Sequence, residues 1–264
     1  MIKVKINGDI YEAEKGEYIL KLCWRNGIFI PTLCHHDGLP GLGACRLCVV
    51  EINEGSGRRV VVSCVYPLNR DCEIFTESEK IKNIRKTILS MLKARAPEAE
   101  GLDYLYQIYE VEGEGRFTAA KNSKGGSREK RLASSCILCG RCVQACVSLG
   151  TGAISTAGRG TEKKVSTPYG EMSNDCIGCG SCASVCPTGA IECTETKENR
   201  SIWGRKFKLL RCTSCGSAFS TEEEYAYAVK KAALEEPDAV LCEVCGRKKT
   251  ARVLARAFGA SAFK

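Results

Sequence analysis

Hydrophobic and polar positions alternate at the start of the chain. Ile2, Val4 and Ile6 fall on one side and Lys3 and Lys5 on the other, which predicts a half-buried strand. Asn7-Gly8 follows, a pair that accepts positive φ at both centres of a tight turn, so the first strand is expected to enter a hairpin. Leu20, Cys23 and Trp24 then share one face at helical spacing, and Gly27 ends that segment. Val49-Val50-Glu51-Ile52 and Arg59-Val60-Val61-Val62 flank Glu54-Gly55-Ser56-Gly57, a second hairpin. From Ser78 to Arg95 the period changes. Ile81, Ile84, Ile88 and Leu92 form a helical stripe that Pro97 stops. A short helix is predicted from Tyr104 to Tyr109, with Tyr104, Tyr106 and Tyr109 read as core packing, or alternatively as facing a partner. The basic, Gly/Ser-containing stretch Lys121 to Arg131 reads as a flexible linker, or alternatively as an arm facing a partner. Further helices are predicted over Glu222 to Glu236 and Arg247 to Phe258.

An internal repeat interrupts these patterns. Cys136-Ile-Leu-Cys-Gly-Arg-Cys-Val-Gln-Ala-Cys146 returns as Cys176-Ile-Gly-Cys-Gly-Ser-Cys-Ala-Ser-Val-Cys186, and Thr-Gly-Ala-Ile follows each copy. Duplication of this kind predicts two similar half-units packed together. The chain divides on this reading into a β-rich part (1–78), a helical segment and linker (79–131), the repeat (132–200) and a C-terminal part (201–264). The fold class expected is α+β.

Nineteen cysteines stand beside two histidines in 264 residues, too long a chain for a small disulfide scaffold. The first residues lack the apolar core of a signal peptide, and no apolar run approaches the ~18 residues of a membrane span. A cytoplasmic protein is expected, and in that compartment clustered cysteines read as metal ligands. The formal charge of +8 suggests nucleic acid at first sight. Thiolate sites reverse that reading. Each four-cysteine site around an oxidised cluster or zinc carries about −2, so several such sites bring the loaded protein near neutrality. The basic excess is then compensation for buried anions, and nucleic-acid binding is not expected.

Each half of the repeat has the spacing Cys-x2-Cys-x2-Cys-x3-Cys. Three thiolates from one tight loop can grip three corners of a cubane while the fourth points away. Residues 132–200 resemble the bacterial two-[4Fe–4S] ferredoxins. That resemblance implies that Cys136, Cys139, Cys142 and Cys186 hold one [4Fe–4S], and that Cys176, Cys179, Cys182 and Cys146 hold the other. One departure stands out: Pro187 follows Cys186, but Val147 follows Cys146.

In the β-rich part Cys34, Cys45, Cys48 and Cys64 are separated by gaps of ten, two and fifteen residues. The long first gap carries His35, His36 and a glycine-rich run to Ala44, which lets backbone fold closely round a cluster. The segments Ile30-Pro-Thr-Leu-Cys34, Cys45-Arg-Leu-Cys48 and Ser63-Cys64-Val-Tyr-Pro67 are similar to the N-terminal [2Fe–2S] region of the large iron–sulfur subunit of NADH dehydrogenase (complex I). The same region occurs in diaphorase subunits of NAD-linked hydrogenases and formate dehydrogenases and in iron-only hydrogenases. The resemblance covers residues 1 to about 95 and implies a β-grasp domain with one [2Fe–2S]. Cys72 competes with Cys64 for the fourth ligand position, and the family pattern favours Cys64. The His-x3-Cys-x2-Cys-x5-Cys segment of those relatives has no counterpart between Lys86 and Ser135, which contains neither cysteine nor histidine.

Cys212-Thr-Ser-Cys-Gly216 and Cys242-Glu-Val-Cys-Gly246 are paired knuckles. Four thiolates from two turns suit tetrahedral zinc, so Cys212, Cys215, Cys242 and Cys245 are expected to form a zinc-ribbon-like site. A fourth iron–sulfur cluster, mononuclear iron or a redox dithiol are the alternatives. Cys23 and Cys193 are left over and read as packed thiols. His35 and His36 read as loop histidines near the cluster.

No nucleotide fingerprint or P-loop is present, so the chain is not expected to be catalytic by itself. The resemblances imply an electron-transfer subunit in a complex with a flavin-containing NAD(P)H subunit and a catalytic hydrogenase subunit. Formate dehydrogenase or aldehyde oxidoreductase subunits are the alternative partners, and ferredoxin a further one if the complex bifurcates electrons. Two readings from other classes are a small self-sufficient oxidoreductase and a DNA-binding redox sensor.

Overall fold

The computed structural model describes residues 1–111, 117, 127–233 and 239–258. Residues 121–126 of the basic stretch, and the end of the helix expected to reach Glu236, lie outside the described residues. The chain divides into two compact units, one of Met1–Ser166 with Ser181–Ile191 and the other of Thr167–Gly180 with Glu192–Lys264.

The first unit opens with β1 (Ile2–Ile6) and β2 (Asp9–Ala13), paired antiparallel. Asn7 (φ +51) and Gly8 (φ +109) make the turn their sequence predicts. Helix α1 (Ile19–Arg25) crosses to a second hairpin, β3 (Val49–Asn53) and β4 (Arg58–Val62). Strand β5 (Cys72–Phe75) then enters the middle of the sheet, parallel to β1 and antiparallel to β3, giving the order β2-β1-β5-β3-β4. The alternation of β1 places Ile2, Val4 and Ile6 in a core with Ile19, Leu20 and Cys23 of α1 and with Val50, Ile52 and Ile74. Each such fully buried aliphatic side chain contributes about 2 kcal/mol.

Helix α2 (Glu79–Arg95) is capped by the Ser78 hydroxyl, which accepts from the Ile81 amide at 3.3 Å. Short helices α3 (Asp103–Ile108), α4 (Ser127–Ser135) and α5 (Arg141–Leu149) follow, then the ribbon β6 (Ser155–Ala157) and β7 (Lys164–Ser166), and α6 (Ser181–Ser184). The second unit holds a four-stranded antiparallel sheet in the order β11-β10-β9-β8. Its strands are β8 (Cys193–Glu195), β9 (Asn199–Ile202), β10 (Arg205–Arg211) and β11 (Ala218–Thr221). Helices α7 (Glu222–Lys231) and α8 (Glu243–Phe258) complete it. Strands β5 to β11 are not foreshadowed by the hydrophobic pattern, because most are three or four residues long and the longest, β10, carries charges on both faces.

The buried stripe of α2 contains a surprise. Arg85 is fully buried between Ile81 and Leu89. Its Nε donates to Leu47 O at 3.2 Å, Nη2 to Val49 O at 2.9 Å and Nη1 to Tyr109 Oη at 2.8 Å, with Glu77 as ion-pair partner. Of the three tyrosines in and beside α3, Tyr109 is buried against this guanidinium, whereas Tyr104 stays half exposed. Arg85 thus clamps the chain on either side of Cys48. Arg85→Met removes every donor and should cost about 3 kcal/mol. The measurement is the urea midpoint for loss of tertiary signal, which should fall; an unchanged midpoint would mean that the two carbonyls find other donors.

Candidate metal centres

Residues 26–48 run from the end of α1 to β3 without regular secondary structure and carry Cys34, Cys45 and Cys48, and Cys64 sits in a 3-10 turn after β4. Ser63 ties that turn to Cys48, its amide and hydroxyl both donating to Cys48 O, at 3.1 and 2.7 Å. The Cys45 amide donates to Cys34 Sγ at 3.4 Å. The four thiols converge. Hydrogen bonds from the Cys45 and Cys64 thiols pull Cys34 down to about 2, and one from Cys64 pulls Cys48 down to about 7. The same bonds push Cys45 and Cys64 up, since each holds a proton for its neighbour. Cys72 lies instead on β5, where burial, followed by the charges of Glu54 and Asp71, raises it to about 11. Cys23 is fully buried on α1 and raised by burial to about 12. His35 Nε2 lies 3.4 Å from Asp37 Oδ1 and its ring packs edge-on against Trp24, while His36 Nδ1 accepts from the Gly38 amide.

Also in the first unit, Cys136, Cys139, Cys142 and Cys186 line one cavity together with Leu132, Val165 and Ile191. It is a small cavity that opens to solvent. The donors are four soft thiols in an aliphatic shell, the chemistry of an iron–sulfur site. Burial raises the Cys136 and Cys142 thiols and takes Cys139 to about 11, so thiolates here need a metal core to offset desolvation. The Leu138 amide donates to Cys136 Sγ at 3.4 Å, and Leu138 adopts φ +55 in doing so. Arg95 Nε donates to Cys136 O at 3.3 Å from outside.

The repeated Thr-Gly-Ala-Ile acquires a role that its sequence did not disclose. Thr151 Oγ1 lies 3.1 Å from Cys146 Sγ and Thr188 Oγ1 3.7 Å from Cys186 Sγ, so each copy sets a hydroxyl on the fourth cysteine of its half. Of the second predicted set, Cys146 and Cys182 belong to the first unit and Cys176 and Cys179 to the second.

Within the second unit the loop bearing Cys176 and Cys179 is docked on the sheet. Arg205 Nη1 donates to Ser173 O at 3.3 Å, to Asn174 O at 3.4 Å and to Cys176 O at 3.1 Å. Arg200 Nη1 donates to Gly178 O at 2.9 Å, and Thr221 Oγ1 to Ile177 O at 2.6 Å. A Cβ at Gly178 would stand 2.4 Å from the buried Phe207 ring, and φ there is +70°, so only glycine lets the loop lie this close. Sequence reasoning passed over Arg200, Arg205 and Phe207, because nothing local marks a side chain that serves a loop more than twenty residues away.

The C-terminal cysteines also come together. The sulfurs of Cys212, Cys215, Cys242 and Cys245 all lie within 4.8 Å of one another. Cys215 and Cys242 are 3.8 Å apart, close to the edge of about 3.8 Å expected for a tetrahedron with metal–sulfur bonds of ~2.3 Å. The first pair forms the turn joining β10 to β11. The second pair differs from a ribbon's second knuckle, since Cys242 immediately precedes α8 and Cys245 lies in its first turn. The Cys242 amide, then that of Cys215, lowers Cys212 to about 6, and the Ser217 hydroxyl lowers Cys215.

Residues 1–79 match the 2Fe-2S iron-sulfur cluster binding domain, and residues 135–190 match the 4Fe-4S dicluster domain. The chain is therefore an iron–sulfur protein that joins these two domain types. It is 30% identical over 204 residues to the NADH-ubiquinone oxidoreductase 75 kDa subunit of Reclinomonas americana, covering 72% of this chain and 29% of that protein. It is 32% identical over 235 residues to an NADH-quinone oxidoreductase subunit of Rhizobium meliloti, covering 82% of this chain and 27% of that protein. The chain thus spans less than a third of the length of these relatives. A chain of an NAD+-reducing [NiFe]-hydrogenase crystal structure, in its H2-reduced state, superposes with a TM-score of 0.54 at 25% identity. That match covers 63% of this chain and 74% of the other. Among the described residues no helix is long and apolar enough to cross a membrane.

Thiol reactivity follows the thiolate fraction and access. In metal-stripped protein at neutral pH, Cys215, exposed and lowered, should be alkylated by iodoacetamide well before Cys23. Mass-spectrometric peptide mapping reads the order; equal rates would contradict the placement of these two thiols.

Proposed function

We propose that this chain is the iron–sulfur electron-transfer subunit of a multi-subunit NAD(P)-linked oxidoreductase of hydrogenase type. It would relay electrons between a flavin-containing NAD(P)H subunit and a catalytic metal subunit. The observation that carries this reading is the presence, in one compact unit, of two converging sets of four cysteines that share a buried core, with Cys34 and Cys139 both in it. Iron–sulfur groups bound there supply one-electron redox chemistry, and the chain's own residues set their spacing, burial and hydrogen bonding.

On this reading Cys34, Cys45, Cys48 and Cys64 hold a [2Fe–2S] in a β-grasp domain. The five-stranded sheet, with β1 parallel to β5 and α1 across it, supports that assignment. Cys136, Cys139, Cys142 and Cys186 hold one [4Fe–4S]. The set Cys176, Cys179, Cys182 and Cys146 for the other rests on the duplicated spacing. Cys212, Cys215, Cys242 and Cys245 hold zinc, which suits the tetrahedral sulfur spacing. The likeness to a chain of the NAD+-reducing hydrogenase favours a hydrogenase partner over a formate dehydrogenase or an aldehyde oxidoreductase.

Purification of the native complex tests the partners: a flavin subunit and a hydrogenase subunit should accompany the chain, and a chain purified with neither would overturn the reading. Metal analysis should give about ten iron atoms and one zinc per chain; about fourteen irons without zinc would reject the zinc site. Cys64→Ser should abolish or strongly alter the [2Fe–2S] electron paramagnetic resonance (EPR) signal, and Cys72→Ser should leave it intact. Equal or reversed effects would refute the ligand choice.

A further inference from the structure

The loop of Cys34 and the loop of Cys139 meet at a seam inside the first unit. Gly140 has φ +81, and a Cβ there would stand 2.9 Å from Leu42 Cδ1 in the glycine-rich run of the other loop. The next residue, Arg141, opens α5 and reaches back across the seam. Its Nη2 donates to His35 O at 2.7 Å, one residue from Cys34. Its own position lies between Cys139 and Cys142.

A guanidinium carries its charge and its five donors at every accessible pH, so a buried N–H of arginine must find an acceptor or bear the desolvation of a charged group. Arg141 Nε is buried and has no acceptor among the protein atoms, and His35 Nδ1 on the same seam is likewise buried and unmatched.

We propose that Arg141 is a positioning residue shared by the two metal loops: its Nη2 fixes the His35 backbone beside Cys34, and its Nε–H donates to a sulfur of the [4Fe–4S] held by Cys136, Cys139, Cys142 and Cys186. The proposal rests on the cluster assignment above. A cationic donor on sulfur stabilises the reduced, more negative cluster, so Arg141 raises that cluster's potential relative to a neutral neighbour. Lysine keeps the charge but loses both the Nε–H and the rigid fork that reaches two acceptors at once, and glutamine keeps donors but loses the charge.

The test uses the full chain with its clusters, comparing the native protein with Arg141→Gln and Arg141→Lys by iron content and by EPR-monitored redox titration. In Arg141→Gln the reduction equilibrium of this [4Fe–4S] should move about tenfold toward the oxidised state, which is ~59 mV for one electron. Arg141→Lys should move it less, and the [2Fe–2S] should shift less than the [4Fe–4S] in both. A second readout uses native protein carrying isotope-labelled arginine side chains. The reduced [4Fe–4S] should show a pulsed-EPR coupling to guanidinium nitrogen, and this coupling should vanish in Arg141→Lys. Unchanged potentials at full iron content would overturn the proposal. So would the absence of that coupling in the native protein, which leaves water as the Nε acceptor, and this second readout decides even if the variants fail to assemble. A native chain that lacks the [4Fe–4S] altogether would instead overturn the cluster assignment, and the iron count separates the two failures.

Discussion

The structure depends on how irregular loops rich in cysteine satisfy their own backbone. A loop that aims amide N–H groups inward at sulfur, as Cys45 does toward Cys34 and Leu138 toward Cys136, turns carbonyls away from the site with no helix or sheet partner. Arginine side chains supply those carbonyls. Arg85 serves Leu47 and Val49, Arg95 serves Cys136, and Arg141 serves His35. Arg200 serves Gly178, and Arg205 serves the run from Ser173 to Cys176. The planar fork of arginine suits this task because one side chain can bridge two or three carbonyls at fixed angles.

The same device gives the basic composition its meaning. A net charge of +8 would mark a nucleic-acid-binding surface if the cations were displayed. Here several of them are committed to the backbone of the loops whose sulfurs carry negative charge once loaded. Arg85 is fully buried, and Arg200 and Arg205 are largely covered. Burial pushes the Cys136, Cys139 and Cys142 thiols upward, so the loops are poorly suited to free thiolates. On the proposed reading, metal insertion and the final ordering of these loops are coupled.

What was legible in the sequence was local. The first hairpin follows from Ile2 to Gly8, α2 from the stripe beginning at Ile81, and the grouping of cysteines from spacings of two or three residues. The expectation of Cys64 over Cys72 needed family pattern; Ser63 hydrogen-bonds Cys48 O, whereas Cys72 sits on β5. What was not legible was long-range or chemically disguised. The parallel pairing of β1 with β5 joins residues nearly seventy apart, and the buried line of α2 runs through Ile81, Arg85 and Leu89, so it includes an arginine that the predicted apolar stripe leaves out. Strands β8, β9 and β11 are only three or four residues long and β10 is rich in charge, so their role as a platform for the Cys176 loop emerges only when Arg200, Arg205 and Phe207 are seen against it. In the C-terminal site the four-sulfur grouping was legible, whereas the helix that opens at the second pair was not.

On the proposed reading, the grouped thiols hold inorganic sulfide together with iron. Acid-labile sulfide measured on anaerobically purified protein tests it most directly. The protein should be brown and carry about ten sulfides per chain, matching its iron. A colourless protein with no labile sulfide, prepared with oxygen excluded throughout, would contradict it.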